Sequence, residues 1–75
     1  MNAAEQRAAD KAAIDAGAAA LRHRTNQDRY AGLSRPDAAY ALASVLDALG
    51  LALRDVPEDV RRSAVAAARE LARDS

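Results

Sequence analysis

The sequence contains no cysteine, tryptophan or phenylalanine, and two tyrosines are its only aromatic residues. Without cysteine there can be no disulfide framework and no thiolate ligand or nucleophile. Because aromatic and β-branched residues are scarce, the chain is poorly suited to strand formation. These absences argue against a disulfide scaffold, cysteine chemistry and a β-sheet.

The chain also lacks an excess of either charge and lacks any long apolar run. Eleven basic residues balance eleven acidic ones, so no overall positive field attracts nucleic acid or anionic lipid. No apolar stretch approaches the ~18 residues of a transmembrane helix, and Glu5 and Arg7 interrupt any signal-peptide core. We therefore expect a cytoplasmic protein that does not enter a membrane.

Alanine dominates what is present, with 22 alanines and eight leucines among 75 residues. Alanine is the strongest helix former, which predicts a single all-α domain over residues 1–75. Few large side chains remain to build a core, and a chain of this size has little stability in reserve. Such a domain gains stability when it self-associates or packs against a partner's surface.

Capping signals divide the chain into three helices, at about 3–24, 35–51 and 56–73, with a connector over 25–33. Asn2 and Glu5 fit the start of helix 1, and Ser34 followed by Pro36 fits the start of helix 2. The short link after helix 2 predicts that helices 2 and 3 form an antiparallel αα-hairpin. The longer, Ala-rich helix 1 is expected to be the weakest element.

Apolar spacing predicts which residues build the core. Helix 2 carries two parallel apolar stripes, which suggests burial on more than one side. We expect a core of large side chains: Leu42, Leu46, Leu49, Val60 and Leu71. Helix 1 offers mainly an alanine seam for close helix packing: Ala9, Ala13, Ala16 and Ala20, with Ile14 and Leu21 beside it.

Nothing in the sequence indicates catalysis, a metal site or a cofactor. His23 is the only histidine, so a metal site would lack the ligands it needs. The serines lie in no nucleophile motif, and the three isolated glycines form no phosphate-binding loop. We expect no catalytic, metal or cofactor-binding residues and predict that the chain is not an enzyme.

A basic segment at the exit of helix 1 holds the candidate contact residues: Arg22, Arg24, Arg29 and Arg35. These arginines could bind phosphate groups or an acidic surface of a partner protein. Alternatively, they complement the helix 1 dipole and pair with acids elsewhere in the fold. Tyr30 and Tyr40 are candidate interface anchors or core-edge side chains with a solvated hydroxyl.

Residues Ala31-Gly32-Leu33-Ser34 precede helix 2 in a pattern that resembles the turn of a helix-turn-helix. The helix that follows begins with Arg35 and Asp37 and continues with alanines. An acid and alanines offer little for reading base edges. A capped helix explains the same residues without DNA.

The leading hypothesis is therefore a non-enzymatic protein–protein interaction or structural module, expected to form a homodimer. The alternative is a small nucleic-acid-binding regulator that uses the basic segment. A protein that masks another protein fits the sequence as well as the first hypothesis does.

Overall fold

A computed structural model describes residues 2–27 and 35–73, and within these ranges the protein is helical without strands. Three α-helices follow one another as α1 (Ala3–Thr25), α2 (Pro36–Leu51) and α3 (Glu58–Arg73). A short 3₁₀ helix, Leu53–Asp55, links α2 to α3. The all-α, three-helix prediction is confirmed for the described residues.

Local chemistry accounts for the start of α1. The Asn2 side chain accepts a hydrogen bond from the Glu5 backbone N–H at 2.8 Å, which satisfies one of the first unpaired donors of the helix. The Asn2 side-chain amide also donates to the Glu5 carboxylate at 3.3 Å. The predicted cap is confirmed. The Glu5 carboxylate accepts from the Asn2 side chain and not from the Asn2 backbone N–H.

Helix α2 begins differently from the prediction. Its N-cap residue is Arg35, which has extended backbone angles and makes no side-chain capping bond. Pro36 occupies the first helical turn, where its missing N–H is not needed. Ser34, the expected cap, lies outside the described residues.

Helix α1 is the central element because both other helices pack against it. Along α1, Asp10 and Gly17 lie beside Arg61 and Ala68 of α3, so α1 and α3 run in the same direction. Helix α2 runs the opposite way, since its first turns lie near Asn26. The expected weakness of helix 1 stays a prediction.

Helices α2 and α3 have opposite directions but few contacts with each other. They lie on different sides of α1 rather than forming a closely packed pair. The predicted αα-hairpin is therefore not confirmed as a packed unit.

The core is built largely from small residues that face α1. Ile14 and Leu21 are its largest fully buried side chains. Around them pack Ala18, Ala39, Ala43, Leu46, Leu53, Ala64, Val65 and Ala68, with Leu49 and Leu71 partly buried at the edge. Of the predicted core, Leu46 is buried, whereas Leu42 and Val60 are 37% and 42% exposed. Those two assignments were wrong because each residue lies beside the face of its helix that packs on α1. The buried face of α2 holds Ala39, Ala43, Leu46 and Gly50, and that of α3 holds Ala64, Val65 and Ala68.

Candidate interaction surfaces

The basic residues of the predicted contact segment are separated in the structure. Arg22 pairs with Asp47 of α2, with 2.6 Å between Nη2 and Oδ2. That hydrogen bond raises the pKa of Arg22, the attraction of the Asp47 charge adds to it, and desolvation opposes it. Arg22 therefore ties α1 to α2 and stays charged.

Arg24 and Arg35 lie in contrasting surroundings. Arg24 is buried and its Nη2 donates to the backbone oxygen of Leu71, which links α1 to α3. Arg35 is exposed and lies 3.8 Å from Asp37. The described arginines of the segment do not form one basic patch.

Two of the predicted contact residues, Arg29 and Tyr30, lie outside the described residues. Tyr40 is 40% exposed, and its hydroxyl donates to the Asn26 side chain. This bond joins the start of α2 to the end of α1. His23, at the end of α1, is exposed.

A continuous apolar strip covers the side of α2 that turns away from α1. Val45 is 54% exposed on it, flanked by Leu42 and the partly buried Leu49. Exposed alanines extend the strip at helical spacing: Ala38, Ala41, Ala48 and Ala52. None of these seven side chains is polar, and the six that lie within α2 span about 17 Å along the helix.

Helix α3 presents a matching strip. Val60 and Ala67 are exposed, and Leu71 is partly buried next to them on the same side of the helix. Helical periodicity places Leu42 and Leu49 on the flank of α2 opposite Asp47, which faces Arg22. That flank is the one nearer to α3, so both strips border the opening between α2 and α3.

We call this combined surface the α2–α3 face. Its members are the seven residues of the strip together with Val60, Ala67 and Leu71. The apolar width of helix 2 predicts burial on more than one side, whereas in the structure one face of α2 is buried and most of the strip is exposed.

A second surface feature lies where the start of α1 meets the 3₁₀ helix. Two shallow cavities of about 400 and 470 Å³ open there. Arg7, Leu53 and Arg54 line both cavities. Sequence reasoning missed this pair of arginines, which are far apart in the chain and belong to no motif.

The remaining charged groups do not suggest a metal centre. Asp10 is buried and accepts from Gln6 at 2.9 Å and from Arg61 at 3.1 Å. Among the described residues, no three His, Cys, Asp or Glu side chains are grouped so that they could hold a metal ion.

No helix in the described part of the chain combines the length and the apolar character needed to cross a membrane. Comparison of the chain with protein-family models, curated proteins and solved structures gave no match.

Proposed function

We propose that this chain is a small, non-enzymatic interaction module that self-associates through the α2–α3 face. The observation that carries the proposal is the uncharged strip on α2, where Leu42 and Val45 stay exposed while alanines of the opposite stripe are buried. A contiguous apolar surface on a soluble domain marks a site of protein contact.

A second copy of the chain is the occupant that fits this surface best. The α2–α3 face has no charged member, so two copies can meet there without opposing like charges. The net charge is zero, which removes the long-range repulsion that keeps many proteins monomeric. The domain measures 39 × 20 × 16 Å, so a broad side can approach the ~800 Å² per partner of a standard interface.

Sedimentation equilibrium of the purified protein at micromolar concentrations tests the proposal. We expect a dimer mass for the wild type and a monomer mass for Val45→Arg, because a guanidinium in an apolar interface lacks a partner. Ser44→Arg is the matched control, since Ser44 is the exposed neighbour of Val45 outside the strip. Circular dichroism checks that both variants remain helical.

A monomeric wild type, or a Val45→Arg variant with the same mass as the wild type, contradicts the proposed surface. Loss of the dimer in both variants also contradicts it, because the effect is then not specific to the strip.

The nucleic-acid alternative has less structural support. Arg22 is engaged by Asp47, and Arg24 is buried against Leu71, which leaves fewer guanidinium groups for phosphates. The alternative requires DNA or RNA binding that weakens steeply with salt and weakens further in Arg35→Ala.

A further inference from the structure

The two cavities beside the 3₁₀ helix share a wall that carries two arginines. Arg7 comes from α1 and Arg54 from the 3₁₀ helix, and both side chains line each cavity. Neither arginine has a carboxylate within ion-pair distance among residues 2–27 and 35–73. Their charges are therefore available to a ligand in these cavities.

Other basic groups at the cavities are already neutralised. Lys11 is 2.7 Å from Asp15, and Arg61 is 3.1 Å from the buried Asp10 and 3.8 Å from Glu58. The local excess of positive charge thus belongs to Arg7 and Arg54.

The rest of the lining limits the kind of anion. Leu53 and Val56 supply apolar surface in the first cavity, and Leu51 is 82% exposed at the second. Asp55 and Glu58 lie at the cavities too and repel a ligand with several negative charges. The lining suits one anionic group attached to a short apolar body.

We propose that this cleft, lined by Arg7, Arg54, Leu51 and Leu53, binds a small organic monocarboxylate. The planar guanidinium groups match the geometry of a carboxylate and donate charge-assisted hydrogen bonds to it. The leucines contact the ligand's alkyl group. The proposal does not rest on self-association, although Ala52 belongs to the α2–α3 face and also lines the second cavity.

An NMR titration of the backbone amides with isovalerate, at constant ionic strength, tests the cleft. We expect saturable shifts confined to the first turns of α1 and the 3₁₀ helix. Neutral isovaleramide is expected to cause no such shifts, and inorganic phosphate is expected to bind more weakly than isovalerate.

The variants Arg7→Gln and Arg54→Gln are each expected to weaken isovalerate binding about tenfold. Arg69→Gln, the same change at an exposed arginine of α3 that lines neither cavity, leaves binding unchanged. The titration is repeated with Val45→Arg, so that failure of the dimer and failure of the cleft are separate results.

Three outcomes overturn the proposal. They are an absence of saturable isovalerate binding, equal binding of isovaleramide or phosphate, and equal weakening by Arg69→Gln.

Discussion

Gly17 faces α3 at a point where the two helices leave no room for a side chain. A Cβ atom added there would lie 2.6 Å from both Cα and Cβ of Ala68, closer than any ordinary carbon contact. From the sequence alone, Gly17 is a weak point in helix 1. In the structure it is what allows α3 to approach α1.

Gly17→Ala is therefore expected to destabilise the protein by about 1–3 kcal/mol, because overpacking outweighs the gain in helix propensity. Urea unfolding followed by circular dichroism gives the value. Gly50→Ala is the control: its added Cβ meets the Asp15 carboxylate at 3.1 Å, and that exposed side chain can shift. Stabilisation by Gly17→Ala would mean that the close approach is absent.

Exposure rather than size decides what each leucine contributes to stability. Leu21 is fully buried, whereas Leu51 is 82% exposed. We expect Leu21→Ala to cost about 2–5 kcal/mol and Leu51→Ala to change the free energy of unfolding by less than about 0.5 kcal/mol. Similar losses in both variants, measured by urea unfolding, contradict the assigned core.

At the scale of the elements, α1 is held to its neighbours by polar contacts as well as by the core. The buried carboxylate of Asp10 accepts a hydrogen bond from Arg61 of α3. Arg22 forms an ion pair with Asp47 of α2. The first pair excludes more water than the second, whose side chains are about two-fifths exposed. Exposed pairs add little to stability.

Asp10→Ala is expected to destabilise the fold by about 1–3 kcal/mol, because Arg61 and Gln6 lose a buried acceptor. Asp47→Ala, which opens the exposed pair, is expected to cost less than about 1 kcal/mol. A double-mutant cycle of Asp10→Ala with Arg61→Ala separates the pair from its surroundings. A cost for Asp47→Ala equal to that of Asp10→Ala contradicts this ranking.

The sequence predicts the elements well because their signals are local. Alanine content and the Asn2 cap act within a few residues, and both correctly indicate helices. Which apolar residues of α2 are buried depends on the side that meets α1, and size alone favours Leu42 over Ala39, although Ala39 is the buried one. A prediction based on residue size therefore places Leu42 and Val60 in the core, where the structure does not.

The candidate sites also differ in whether a local sequence pattern reveals them. The second stripe of α2 is visible in the sequence because its spacing is regular. Arg7 and Arg54 line the same cavities because the 3₁₀ helix packs against α1, so no local pattern reveals the cleft. Conversely, Arg22 and Arg24 are neighbours in sequence but serve different helix contacts.

For the whole molecule, the proposed self-association would explain why a domain with so small a core leaves large apolar side chains exposed. Core positions on α2 and α3 include several alanines, which bury little area each. A second copy that covers the α2–α3 face, as proposed, would add further buried apolar area. Stability is then linked to association, because a partner that binds only the folded state raises the apparent stability.

The most direct measurement is the thermal midpoint, Tm, of the wild type and of Val45→Arg over a hundredfold range of protein concentration. If two copies meet through the α2–α3 face, Tm rises with concentration for the wild type, by mass action, and stays constant for Val45→Arg. A wild-type Tm that does not change with concentration would contradict self-association through the α2–α3 face.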